Sequence, residues 1–165
     1  MRAHRPFQIG VLTLSDKGSQ GQRVDESGPV VEGLLTPVGE VAHIAILPDD
    51  FESIVALLIA WTDQEKLDLI VTTGGTGLSP RDVTPQATLQ AIDYEIPGMA
   101  EAMRMQSLQK TPHAMVSRAV VGVRKQTMII NLPGSPKAAR ENLETVLPAL
   151  SHALAKLTGD PSDCA

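Results

Sequence analysis

The sequence holds a single cysteine, Cys164, beside its last residue, so no disulfide closes within the chain and a reducing, cytoplasmic setting is expected. Positive charge is in deficit: 14 Lys and Arg face 19 Asp and Glu, for a net charge of -5. The two signs are interspersed and leave no basic stripe to neutralise a nucleic-acid backbone, which argues against nucleic acid as a partner. Long hydrophobic runs are missing too. The apolar stretch at residues 7–14 is too short to cross a bilayer and no signal-peptide cleavage pattern follows it, so no membrane role is expected. The four histidines His4, His43, His113 and His152 fit no metal template and read as surface or packing residues. The Gly-Lys-Ser/Thr ending of a P-loop, the Gly-x-Gly-x-x-Gly series and the Gly-x-Ser-x-Gly elbow are all absent. Motor-type ATPases, dehydrogenases and serine hydrolases are thereby set aside. The reaction that remains is one whose nucleophile arrives with the substrate.

What is present is an ordinary folded composition, 42% hydrophobic and 20% charged over 165 residues. A chain of that length forms one domain, 1–165, and buries about two thirds of its unfolded surface. No repeat, low-complexity tract or linker divides it. Three apolar runs, at 7–14, 41–47 and 67–72, each end in polar or glycine-rich residues and then give way to helical periodicity, the pattern of βα units. Helices are predicted over 29–35 and 51–62. The second carries Ile54, Val55, Leu58 and Trp61 on one stripe. Thr84-Pro85 reads as an N-cap with proline in the first helical position, opening a helix to about Tyr94, and another follows over 99–109. Residues 116–123 and 127–132 read as strands joined by the tight stretch Arg124-Lys125-Gln126, so one strand runs against the others. The closing segment 136–157 has leucines at helical spacing interrupted by Pro148, which predicts a kinked or split helix. A mostly parallel sheet covered on both faces binds ligands beyond the carboxyl ends of its strands.

The chemistry-bearing residues gather at that predicted edge. In Thr72-Thr73-Gly74-Gly75-Thr76-Gly77, three glycines let backbone N–H groups surround an anion, and the threonines offer hydroxyls; the alternative is a plain tight turn. Arg81 adds a planar cation suited to phosphate or carboxylate. Asp49 is equally suited to capping the helix after it, with Glu52 answering in a capping box, and to chemistry. Asp82 precedes the better cap, Thr84, and has no evident structural task, which favours a functional role. Carboxylates beside a phosphate loop make sense with Mg²⁺ between them and the phosphate oxygens. Pro133-Gly134-Ser135-Pro136-Lys137 places a hydroxyl and a lysine at a helix start, where anions are favoured, and reads equally as a strand-to-helix turn. Ser15-Asp16-Lys17-Gly18-Ser19 reads equally as a binding loop and a solvated one.

Taken in order, Leu14-Ser15-Asp16, Pro48-Asp49-Asp50, the threonine-glycine loop, Pro80-Arg81-Asp82-Val83-Thr84-Pro85 and Asn131-Leu132-Pro133-Gly134-Ser135-Pro136-Lys137 resemble the molybdopterin adenylyltransferase family, over about residues 7–159. This family includes the bacterial MogA and MoaB proteins and the G domains of gephyrin-like proteins. The resemblance implies a three-layer α/β/α fold with a mixed, mostly parallel five-stranded sheet and one antiparallel strand. It implies Mg²⁺-dependent transfer of AMP from ATP to molybdopterin with release of pyrophosphate, the substrate phosphate being the nucleophile. Position by position, Asp49 and Asp82 match the family's two required aspartates, here the catalytic and Mg²⁺-holding pair. Ser117 matches a substrate-site serine. Ser15, Asp16, Thr73, Gly74, Gly75, Thr76, Gly77, Arg81, Asn131, Pro133, Gly134, Ser135 and Lys137 fall in the matching substrate and nucleotide segments. The resemblance also implies a homotrimer and a molybdate-insertion protein as recipient of the product. Leu78-Ser79 departs from the pattern and leaves the local loop shape open. The rival expectation is a MoaB-like or scaffold-type protein that binds molybdopterin without efficient adenylyl transfer.

Overall fold

Alternation along the apolar runs decides which side chain faces which layer. A computed structural model of the chain describes residues 5–164, and His4 lies outside them. In β1 (Phe7–Leu14), Ile9 and Val11 point to one face of the sheet, Leu12 and Leu14 to the other. β3 (Leu69–Thr73) and β6 (Thr127–Leu132) split the same way, and both are buried throughout, as a strand covered on two faces requires. Against the first face pack α2 (Ser27–Leu35), α5 (Pro97–Leu108) and α6 (Pro136–Leu157), through Val31, Leu35, Met103, Leu143, Leu150 and Leu154. Against the second pack α3 (Phe51–Asp63) and α4 (Thr84–Ala91), through Ile54, Leu58, Trp61, Ala87 and Ala91. The result is the three-layer α/β/α arrangement. Each buried Leu or Ile contributes about 1.5–3 kcal/mol over its exposed state.

The sheet has six strands in the order β2-β1-β3-β6-β5-β4, one more than expected. β2 (Gly39–Leu47), β1, β3 and β6 are parallel, and β5 (Val121–Arg124) runs against both its neighbours, β6 and β4. The added strand, β4 (Tyr94–Glu95), has two residues and no periodicity to reveal it. It also explains why α4 stops at Ala91 instead of Tyr94: the amides of Asp93 and Ile96 are captured by the carbonyls of Val123 and Val121. The strand expected at 116–123 starts only at Val121, because Pro112–Val116 coils into a 3-10 turn and residues 117–120 run outside the ladder. α5 starts at Pro97, two residues before the expected Met99.

Two helix expectations change at their ends and middle. Thr84 lies inside the first turn of α4, and its hydroxyl donates to the Gly74 carbonyl instead of capping the helix. α6 is one unbroken 22-residue helix, although Pro148 lies within it. Pro148 and Glu144, whose carbonyl loses its donor, are both on the exposed face, where water meets the need.

Candidate active site

Parallel strands bring the carboxyl ends of β1, β2, β3 and β6 to one edge of the sheet. A cavity of about 920 Å³ opens there. Its lining includes nine of the residues expected from the sequence: Ser15, Asp16, Asp49, Thr73, Gly74, Gly75, Asp82, Gly134 and Ser135.

After β1, Ser15 accepts the Gly18 N–H at 2.9 Å and so caps α1 (Asp16–Ser19), a four-residue helix inside the stretch expected to be loop. That turn fixes Asp16. Its Oδ1 accepts the Asp49 N–H at 2.9 Å, and Asp49 Oδ2 accepts the Asp16 N–H at 3.3 Å, so the loops after β1 and β2 hold each other. Arg81 grips Asp16 from the far side with a two-pronged contact, Nε to Oδ2 and Nη2 to Oδ1, each 2.9 Å. This guanidinium keeps the Asp16 carboxyl below the usual carboxylate range. Arg81, expected to receive a ligand anion, is here occupied by a protein carboxylate.

The neighbouring aspartates after β2 divide the two roles that the sequence left open. Asp50 caps α3, accepting the Ser53 N–H at 2.9 Å and its hydroxyl at 2.6 Å. The expected Asp49–Glu52 capping box is replaced by this Asp50–Ser53 pair. Asp49 is left to face the cavity. Its Oδ1 is shielded from solvent and has no hydrogen-bond partner, a state shared among the described residues only by Thr62 Oγ1. Burial pushes the Asp49 carboxyl above its ordinary range; the charge of Asp16, and to a lesser extent that of Asp82, adds to the rise against the bond from the Asp16 N–H.

Gly74 and Gly75 have φ of +104° and +70°, so both need glycine. A side chain at Gly75 would collide with Thr84 Oγ1 and come within 3.0 Å of Asp49 Oδ1. The loop is thus shaped to admit that carboxylate. Its backbone is pinned by the Gly74 N–H on the Leu132 carbonyl at 3.0 Å and by Thr84, which donates through N–H to Gly75 O and through Oγ1 to Gly74 O. The threonine hydroxyls serve the fold: Thr73 donates to Pro133 O at 2.6 Å, and Thr72 accepts from Asn131. Asp82, half-buried, accepts the Ser79 N–H at 3.0 Å, a structural task that the sequence did not suggest, and still borders the cavity.

The opposite wall is formed by two helix starts. Asp25 accepts the Gly28 N–H at 3.0 Å and the Thr13 hydroxyl at 2.8 Å at the head of α2, whose Ser27 hydroxyl donates to Gly134 O. Ser135 caps α6 through the Ala138 N–H at 3.1 Å. The dipoles of both helices favour an anion between them. Residues 23–27 of this wall fall outside the segments that the sequence marks as candidate binding loops, and Lys17 lies in the one that reads equally as binding and solvated. The available signal was the pair of cations, Lys17 and Arg23, close to Asp16 in the chain.

Several expected residues lie off the cavity. Asn131 is fully buried, with Oδ1 accepting the Val120 N–H and Nδ2 donating to Thr72 and Thr88, so it ties β6 to its surroundings. Ser117 accepts the Ala119 N–H through its hydroxyl. Thr76 is buried, Lys137 is exposed on the first turn of α6, and Gly77 and Pro133, both half-buried, do not line the cavity.

Among the described residues no three acidic, histidine or cysteine side chains converge as a metal cluster. Mg²⁺ needs less from a protein, taking one or two carboxylates and completing its shell with water and phosphate oxygens. The partnerless Asp49 Oδ1, a hard oxygen raised in energy by burial and by two neighbouring carboxylates, is the donor such an ion fits.

Comparison with known proteins bears on whose site this is. The family described as "Probable molybdopterin binding domain" matches residues 10–152. The chain belongs to this family. Among relatives, a molybdopterin adenylyltransferase of Helicobacter pylori strain J99 is 43% identical, over 93% of this chain and 89% of its own length. The gephyrin of Dictyostelium discoideum is 44% identical over 93% of this chain, which spans only 23% of that protein. Among solved structures of the molybdopterin-binding fold, the biosynthesis enzyme MoaB from Thermus thermophilus superposes with a TM-score of 0.88 at 52% identity, covering 95% of this chain and 99% of that one. No helix among the described residues is long and apolar enough to cross a membrane.

Proposed function

We propose that this chain is a molybdopterin adenylyltransferase whose centre is the cavity between the glycine loop and the heads of α2 and α6. In the transfer, an oxygen of the molybdopterin phosphate attacks the α-phosphorus of ATP. The new P–O bond forms as the bond from the α-phosphorus to the bridging oxygen breaks, and pyrophosphate leaves with that electron pair. The chain supplies no nucleophile. Its work is to hold two anionic substrates together in line and to offset their charge.

The observation that carries this reading is Asp49 Oδ1, buried, without a partner and 3.0 Å from where a side chain at Gly75 would begin. Asp49 and Asp82 would hold Mg²⁺, which when bound neutralises phosphate oxygens and polarises the bond being broken. The cavity-lining backbone at Gly74 and Gly75 and the two helix starts orient the phosphates, and Lys17 and Arg23 add positive charge at the rim. The same reading has the protein work in the cytoplasm and pass its product to a molybdate-insertion protein. It also has the chain act as a homotrimer, which the exposed apolar residues Met105, Leu108, Met115 and Val116 support.

Purified protein given molybdopterin, ATP and Mg²⁺ is expected to form adenylylated molybdopterin and pyrophosphate. Asp82→Asn is expected to lower that rate by at least about a hundredfold. A folded wild-type protein that binds molybdopterin and yields no product would replace the enzyme reading with a binding one.

A further inference from the structure

Asp82 stands on a loop with little regular structure to hold it. Residues 77–82 leave the glycine turn, pass through the exposed Leu78, Ser79 and Pro80, and return to α4 with one internal backbone bond, the Asp82 N–H to Ser79 O at 2.8 Å. Besides the Arg81 side chain's hold on Asp16, what closes the loop at its two feet comes from 36 residues further along the chain. Arg118, half-buried, donates Nε to the Gly77 carbonyl at 2.9 Å and Nη2 to the Asp82 carbonyl at 2.8 Å. Its backbone N–H donates to the Thr76 carbonyl at 3.0 Å. One residue therefore grips both feet of the loop and the turn before it.

The planar guanidinium sets those two carbonyls at a fixed spacing, which a flexible ammonium would not do. Arg118 makes no ion pair among the described residues, so its charge is directed at carbonyl oxygens alone. Its own segment is braced from behind, since Arg104 of α5 donates Nη1 to the Ala119 carbonyl at 2.9 Å. The two feet also lie close together: a side chain at Gly77 would come within 3.0 Å of Asp82 Oδ2.

We propose that Arg118 is a positioning residue of the transfer reaction, fixing the span from Gly77 to Asp82 so that the Asp82 carboxylate is presented to the cavity. This rests on the adenylyl-transfer reading above. Arg118 does not border the cavity, so its effect passes through Asp82 and leaves substrate binding alone.

The test compares wild type, Arg118→Gln and Arg118→Lys. For Arg118→Gln, kcat per folded molecule is expected to fall about a hundredfold, the scale of a misplacement of about 1 Å, while KM for ATP and for molybdopterin stays within about twofold. Arg118→Lys, which keeps the charge and can reach one carbonyl, is expected to recover about a tenth of the wild-type kcat. Hydrogen exchange supplies a reading independent of turnover: the Ser79 and Asp82 amides should exchange about tenfold faster in Arg118→Gln, with β3 unchanged. An unchanged kcat per folded molecule, or a loss carried by KM, overturns the proposal. Should wild type form no adenylylated product, the enzyme reading falls and exchange alone decides the clamp: unaltered exchange at Ser79 and Asp82 overturns it, and accelerated exchange upholds it.

Discussion

The two edges of the sheet treat their aspartates in opposite ways. At the edge away from the cavity, Asp63 receives Arg124 through two bonds, at 3.1 and 2.8 Å, and Lys125 at 3.1 Å. Asp68 likewise receives both Arg5 nitrogens and the Gln8 N–H. Every carboxylate oxygen of that pair has a donor. At the cavity edge, Asp16 takes Arg81, and Asp49 is left with a single long bond to Oδ2 and none to Oδ1. The consequence appears in acidity. Arg124, and then Lys125, hold the Asp63 carboxyl down to about 2, whereas burial lifts Asp49. Carboxylates that serve the fold are matched, and the one left unmatched marks where a ligand is needed.

Asp49→Asn tests the comparison with the largest effect. Catalytic rate should drop by at least about a hundredfold, while the melting temperature at pH 7 rises. A raised folded pKa means that Asp49 favours the fold when protonated and loses that contribution as pH climbs above 3.8 through the folded value, so removing the charge relieves a penalty at neutrality. A lower melting temperature would place Asp49 with the structural carboxylates. Asp63→Asn probes the other edge with the reverse sign. The Asp63 contribution is complete above pH 3.8 and is lost as pH falls toward about 2. Wild type should therefore lose melting temperature more steeply than the variant between pH 4 and 2, as followed by circular dichroism. The smallest effect belongs to Asp50→Ala, which removes the α3 cap: about 1 kcal/mol of stability in urea titration, with activity per folded molecule retained.

Asp49 and Asp50 also show how far a sequence can be read. A capping aspartate and one left bordering a cavity look alike in Pro48-Asp49-Asp50-Phe51, and only the φ of -119° at Asp50 and its bond to Ser53 separate them. The parallel strands, α3, the glycine loop and the gathering of loops at one edge were legible because each follows from a period or from glycine content. β4 was not, since two residues carry no period and their pairing depends on Val121 and Val123. Asn131 misled in the other direction. A polar residue in a matching motif suggested a ligand contact, yet a buried amide must satisfy its own hydrogen bonds, and Val120, Thr72 and Thr88 do so. The wall at residues 23–27 was hidden because a polar loop gives no sign of what it faces.

The last strand of the chain is not the last in the sheet: β6 lies between β3 and β5. During synthesis, β3 and β5 both emerge before the strand that separates them, each with an open edge able to pair wrongly. The Gly74 amide waits on Leu132 and the Thr73 hydroxyl on Pro133. The glycine turn, although encoded midway along the chain, is therefore set only when residues 127–133 enter the gap. Completion of the sheet and competence of the site are a single late event, and an unfinished chain has neither.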